Sequence, residues 1–240
     1  MPDAVQHELS MLCDYFTANP LPRLQRKVED VSLPACQQLM ADLRRILDDG
    51  VGFAVIDRLP LDSIPDDCLV DLYWVLGQYI GRPVAQKWSG EMIYDVRDTG
   101  QSYQYGVRGS HTTVELVFHV DNAFARLPPD YVGLLCRQPA KQGGVSRFCS
   151  LYSVHEKIRA RSTAALERLY RPMLFDRQKE HAEGAPPVTL APFFTWKRDR
   201  LWARANSSLV RKGYTVADER MDSELLDALD LVDDVCRSEE

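Results

Sequence analysis

Thr113-Val114-Glu115-Leu116-Val117-Phe118-His119-Val120-Asp121-Asn122-Ala123-Phe124 is the stretch on which the reading of this chain turns. Its β-branched and aromatic content predicts a strand leaving the core. Side chains two apart on a strand share a face. His119 and Asp121 therefore project together, with Glu115 and Val117 behind them. Val114, Leu116 and Phe118 take the opposite face. An imidazole and a carboxylate aimed at one point are two donors suited to Fe(II), Mn(II) or Zn(II). The tripeptide has a plainer reading too, a histidine with an aspartate as its hydrogen-bond partner. What surrounds it shifts the weight between the two.

The chain has 240 residues, enough for one large domain or two small ones. At 45% hydrophobic and 27% charged it has the composition of an ordinary soluble globular protein. A net charge of −6 and a pI near 5.4 argue against a general nucleic-acid binder. A small-molecule substrate stays open. The start, Met1-Pro2-Asp3-Ala4-Val5-Gln6-His7-Glu8, lacks the basic and apolar regions of a secretory signal. No apolar run approaches the roughly 18 residues that span a bilayer. A cytoplasmic protein without a membrane partner is the expectation. Cys13, Cys36, Cys68, Cys136, Cys149 and Cys236 are scattered, with no Cys-x-x-Cys pair. Most read as buried free thiols in a reducing compartment.

Outward from the motif, the first third reads as helical. Residues 1–20 form a short helical lead-in closed by Asn19-Pro20, and Ser32-Leu33-Pro34 opens a helix that runs to about Asp49. Leu39, Leu43, Ile46 and Leu47 share one face of it, and Gly50 and Gly52 stop it. Gly52-Phe53-Ala54-Val55-Ile56-Asp57 reads as a short strand, and a second helix covers about Cys68 to Ile80. From Val84 onward, strand-like pieces fall at 84–88, 91–96, 113–120, 131–137 and 145–150, which suggests a sandwich or jelly roll. A helical interval covers about 152–171. Pro172–Phe175, Val188–Phe194 and Leu201–Ala205 are strand-like again, with Lys197-Arg198-Asp199-Arg200 as a solvated hairpin turn. Met221 to Val235 is an amphipathic helix that Asp222 or Ser223 can cap. The polar segment 176–187, ending in Pro186-Pro187, reads as a mobile loop.

The order after the tripeptide is distinctive. Pro128-Pro129-Asp130-Tyr131 leads to the apolar run Val132-Gly133-Leu134-Leu135-Cys136, then Gly143-Gly144-Val145-Ser146, then the helix near Tyr152. This set resembles the taurine dioxygenase-like (TauD/TfdA) family of Fe(II)/2-oxoglutarate-dependent oxygenases, with its His-x-Asp, Pro-containing turn, hydrophobic strand and Gly-Gly-x-Thr. Glu115-Leu116-Val117-Phe118-His119 is similar to the run before the carboxylate in the clavaminate synthase-like branch. Gly52-Phe53-Ala54-Val55, Leu201-Trp202-Ala203-Arg204-Ala205-Asn206 and the helix containing Ala228-Leu229-Asp230 also match, so the likeness spans about residues 36–238. The fold it implies is an α+β one, mainly β with flanking helices: a double-stranded β-helix, or jelly roll, lacking its last strands. Residues 1–240 form one such domain, with 1–83 as helical lead-in and first strand and 84–240 as the barrel.

The resemblance also implies roles. His119 and Asp121 are two members of a 2-His-1-carboxylate triad that leaves positions open for 2-oxoglutarate and O₂. Oxidative decarboxylation of 2-oxoglutarate then supplies the oxidant that takes hydrogen from the substrate. Ser146 stands where the family has a Thr whose hydroxyl bonds a 2-oxoglutarate carboxylate, and a Ser hydroxyl serves equally. As a bare turn residue after Gly-Gly it has no such role. The family places its distal His and its 2-oxoglutarate-binding Arg near the C-terminus, and this chain has no His beyond His181. Three readings stay open: a piece of a longer, C-terminally truncated enzyme, substitution by His155 or His181, or a protein that binds without turnover.

Further candidates surround the motif. Phe124 and Arg126 follow it, where substrate-shaping residues sit in this family. Gln86, Tyr94 and Asp95 come from the preceding strand pair, read as an opposite wall; for these, as for Phe124 and Arg126, a plain surface or core position is the other reading. Glu115 contacts a substrate amino group or is a buried carboxylate with a partner, since an unpaired one is costly. His111 reads as a loop residue near the site mouth. Arg204 pairs with a substrate carboxylate or sits in a surface salt bridge. The expected function is an oxygenase hydroxylating a small polar metabolite, an amino acid on branch resemblance alone. A binding or scaffold module on the same fold, and a zinc hydrolase using His119 and Asp121, are the alternatives.

Overall fold

Helix-forming runs dominate both ends of the chain, and they organise two compact units. The computed structural model describes residues 1–59, 64–102, 107 and 109–238. One unit comprises Met1–Pro83 with Gly133–Lys141, the other Val84–Val132 with Gln142–Glu240.

In the first unit, α1 (Asp3–Ala18), α2 (Pro34–Asp49) and α3 (Asp66–Ile80) pack together. Val5, Leu9, Leu12 and Phe16 recur at helical spacing on α1 and are buried. Leu33 offers α2 no side-chain cap, so Glu8 of α1 supplies one. Its carboxylate accepts the Ala35 amide at 2.9 Å and the Cys36 amide at 2.8 Å. Burial works to raise the Glu8 carboxyl, and these two amides outweigh it and hold it below its ordinary value. Asp71 of α3 receives both Arg23 (2.7 Å) and Arg26 (2.9 Å), and the Arg26 guanidinium lies 4.1 Å from the Phe16 ring centroid.

The cysteines correct one expectation. Packing of α1 on α3 brings the Cα atoms of Cys13 and Cys68 to 6.0 Å, and their sulfurs are bonded. Nothing in their wide sequence spacing signalled this. Cys36 and Cys236 are free and buried, Cys149 is free and partly buried, and Cys136 is free and exposed. Burial pushes the Cys36 and Cys236 thiols up to about 12, so both stay protonated at neutral pH.

The second unit holds α4 (Leu151–Arg161), α5 (Thr163–Tyr170), α6 (Ser207–Val216) and α7 (Ser223–Ser238). It also holds two hairpins. β1 (Met173–Asp176) pairs antiparallel with β2 (Val188–Ala191), Met173 opposite Ala191. β3 (Phe194–Lys197) pairs with β4 (Arg200–Ala203), Phe194 opposite Ala203. Arg198 and Asp199, at φ 52° and 57°, make the two-residue turn that suits strand twist. The expected helical interval divides at Ser162, whose hydroxyl accepts the Ala165 amide at 3.1 Å and starts α5. Asp222 caps α7, accepting the Leu225 amide at 2.7 Å. Helix α6 was not anticipated, because Val, Thr and Gly weaken its propensity. Gly213 lets it lie directly on β1: a Cβ there would collide with the Leu174 carbonyl and come within 2.9 Å of the Asp176 amide. The core joins Val154, Ile158, Leu169, Met173, Phe175, Phe193, Phe194, Val210, Leu225 and Leu229, and Ala123 and Phe124 belong to it.

The strand content departs from the jelly roll expected. Four four-residue strands in two separate hairpins are the sheet structure among the described residues, with helices elsewhere. The architecture is α+β, and it is richer in helix than the mainly β reading. Segments 84–88, 91–96, 113–120, 131–137 and 145–150, and Gly52–Asp57, form no strand. The physical reason is that β-branched composition favours extended backbone but does not name a ladder partner. Val114, Leu116 and Val117 are accordingly 37%, 49% and 39% exposed, with no sheet to pack against.

Candidate metal centre

The motif ends in a sharp turn that follows its two donors. Asn122 takes a left-handed φ of 49°, which an Asn side chain tolerates. Ala125 N donates to Asn122 O at 2.8 Å and closes the turn. His119 Nε2 then stands 3.4 Å from Asp121 Oδ1. His119 Nδ1 lies 2.7 Å from the Val117 carbonyl, to which it donates. That bond fixes the tautomer and leaves Nε2 as the nitrogen directed at Asp121. The Asp121 hydrogen bond, reinforced by the Val117 carbonyl and opposed by burial, raises the His119 imidazole above its ordinary value. With side chains 30% and 48% exposed, the pair is open to solvent ions.

Two anchors hold this segment to the rest of its unit. Val120 N donates to Ala205 O at 2.7 Å. The Arg204 guanidinium donates from Nη1 to Ala123 O (2.6 Å) and Ala125 O (2.5 Å), and from Nη2 to Arg126 O (3.0 Å). Sequence reading offered Arg204 a carboxylate from substrate or surface. It missed the carbonyl clamp, whose one legible signal was an Arg just after a strand and before the Asn206 cap of α6.

The other candidates fall at varied places. Phe124 is 7% exposed and part of the core, the plainer of its two readings. Arg126 is exposed and offers its carbonyl to Arg204. Glu115 is exposed rather than buried, because no sheet covers its face, so the expected burial cost does not arise. Gln86 N bonds Glu91 O at 2.7 Å, and its side chain bonds Val84 O. Tyr94 carries Lys87 over its ring at 4.6 Å and meets the His111 ring edge-on. Ser146 is exposed, following Gly143 and Gly144 at φ 74° and 71°. Arg177 closes the loop after β1, its amide bonding Pro187 O at 2.9 Å and its guanidinium bonding Pro186 O and Glu180 O. The Glu180 carboxylate accepts the Trp88 amide at 2.6 Å.

Neither substitute third ligand joins the pair. His155 is buried, with Nε2 at 2.8 Å from the Tyr170 hydroxyl and Nδ1 at 3.1 Å from Glu156, inside a cage with Phe194 and Trp196. His181 is half-buried and bonds Ala182 O. Among the described residues no group of three His, Cys, Asp or Glu side chains is placed to hold a metal.

Comparison with known sequences supplies the context. The sequence model of the taurine catabolism dioxygenase TauD, TfdA family matches residues 17–240. The chain belongs to that family. It is also 27% identical to FR-33289 synthase of Streptomyces rubellomurinus (strain ATCC 31215) over 183 residues. That match covers 75% of this chain and 52% of the relative, so the chain spans about half the relative's length. TauD/TfdA family members generally use Fe(II) and 2-oxoglutarate. The donor types of His119 and Asp121 fit two positions of such an iron site: an imidazole nitrogen whose partner nitrogen is held by Val117 O, and a carboxylate oxygen beside it. Among the described residues no helix is long and apolar enough to cross a membrane.

Proposed function

We propose that this chain carries the iron-binding part of an Fe(II)/2-oxoglutarate-dependent oxygenase that hydroxylates a small polar metabolite. An amino acid is the substrate class that the branch resemblance favours. Family membership supports the reaction class. The observation that carries the assignment to particular residues is the His119 Nδ1–Val117 O bond, with Nε2 turned to Asp121.

In this reading His119 Nε2 and Asp121 hold the metal. Fe(II) with 2-oxoglutarate and O₂ supplies the oxidation that places a hydroxyl on substrate carbon. The chain's own residues do the rest. Val117 O keeps the proton on Nδ1, so metal entry displaces a proton from Nε2 only. Ser146 donates its hydroxyl to a 2-oxoglutarate carboxylate. Glu115 accepts from a substrate amino group, and Gln86, Tyr94 and Arg126 line the approach. The work is cytoplasmic, with O₂ and a small molecule as partners.

A second reading has its own support. No third protein ligand stands near the pair among the described residues, which favours a binding or scaffold protein on the same family fold. One experiment separates the two. The purified chain is supplied anaerobically with Fe(II) and 2-oxoglutarate, then exposed to O₂, and succinate is measured. Succinate formation lost in His119→Ala and Asp121→Ala supports the oxygenase. Metal binding that needs both residues, without succinate, supports the binding protein. No binding and no succinate overturns both.

A further inference from the structure

We infer that Arg204 is a positioning residue for the His119–Asp121 pair: its guanidinium holds in place the turn that follows both side chains. This deepens the metal-centre reading proposed above and rests on it. Arg204 is partly buried, and no carboxylate pairs with it among the described residues. A desolvated guanidinium without a counter-ion is costly unless its N–H groups are bonded. Three carbonyls of the turn supply those bonds, from Ala123, Ala125 and Arg126.

The geometry is specific to arginine. Nη1 spends its two hydrogens on Ala123 O and Ala125 O, and Nη2 reaches Arg126 O. One planar fork therefore gathers three carbonyls within the five residues after Asp121. An ammonium, as a compact point charge, has no such fork. The clamp is itself fixed. Arg204 N donates to Phe193 O at 2.7 Å, and the adjoining Ala205 O receives Val120 N at 2.7 Å. Phe193 is buried in the core. The connector between β4 and α6 thus grips the motif on both sides of Asp121, through Val120 before it and the 123–126 carbonyls after it. With both Nη1 hydrogens committed inward, the guanidinium is poorly placed to meet a substrate carboxylate, the role its sequence context first suggested.

Metal ligands need support of this kind, because outer groups that orient them set affinity as well as geometry. The test uses the full chain with Arg204→Lys and Arg204→Met. Co(II) affinity is measured by titration, amide exchange is followed across 120–126, and thermal unfolding is recorded. The expected result is faster exchange in that segment and Co(II) affinity lower by about 10–100-fold in both variants. Where Arg204→Met does not fold, Arg204→Lys, which keeps charge and most of the stem, carries the test. Affinity within about twofold of the wild type in a folded variant, with faster exchange or a lower melting point, makes the clamp merely structural and overturns the inference. Unchanged Co(II) affinity with weaker 2-oxoglutarate binding makes Arg204 a carboxylate ligand and overturns it as well. A wild-type chain that binds no Co(II) fails before any variant is compared. That result overturns the metal-centre reading and takes the inference with it.

Discussion

His119 Nε2 faces Asp121 Oδ1 across 3.4 Å, while its other nitrogen is held by Val117 O. On the metal-binding reading proposed above, proton and metal compete for one nitrogen. Asp121 first, then Val117, holds the imidazole above its ordinary value. With the folded value raised, the stabilising pair is fully present below the unfolded value of about 6.5 and is lost as pH rises through the folded one. Metal affinity runs the opposite way. It should rise by up to about tenfold per pH unit until the folded value is passed, then level off. Mn(II) titrations between roughly pH 5.5 and 8 read this directly. A flat affinity over that window sinks the idea that His119 is a ligand.

Phe124→Ala tests core against substrate wall. The ring is 7% exposed within the cluster of Phe193, Phe194 and Leu229. Its removal should cost about 3–5 kcal/mol, seen as a lower midpoint in urea. A change within about 0.5 kcal/mol would place the ring at the surface instead.

Gly213→Ala should destabilise the second unit by about 1–3 kcal/mol, because the new methyl group meets the Leu174 carbonyl. Calorimetry reads the drop in melting temperature. An unchanged or raised melting temperature shows that α6 does not sit against β1 this closely.

Asp222 both caps α7 and pairs with Arg168, at 2.7 Å to the Leu225 amide and 3.0 Å to Nη2. The Arg168 hydrogen bond holds its carboxyl below the usual range. For a depressed folded value, the stability is present above the unfolded value of about 3.9 and is lost as pH falls through the folded one. Asp222 is 54% exposed, so solvent screens the pair. Asp222→Ala should cost about 2 kcal/mol at neutral pH, from the lost cap and the buried Arg168 left without its partner. Asp222→Asn keeps the cap acceptor and should flatten the acid limb of the stability curve. An acid limb in Asp222→Asn as steep as in the wild type would assign that slope to other carboxyls.

Local chemistry was legible and long-range pairing was not. Helix starts at Pro34 and after Asp222, the stop at Gly50, and the Lys197–Arg200 turn all follow from residues a few positions apart. So did the meeting of His119 with Asp121, although an unpaired segment rather than a paired strand carries both. Glu8 reaching Ala35, Cys13 meeting Cys68 and Arg204 gripping 123–126 each join positions far apart in the chain. Composition and periodicity carry no information about which distant segments meet. The strand readings over 84–150 failed for the same reason, since extended backbone was predicted but ladder partners were not specified.

Ala123, wholly buried, follows Asp121 by two residues, and Phe124 sits beside it in the core. The proposed metal pair is thus joined directly to the buried core of its unit. Heat should not strip the metal from an otherwise intact protein: metal release and loss of the helical core should occur as one transition. A chelator trap run during a thermal ramp would see a single step.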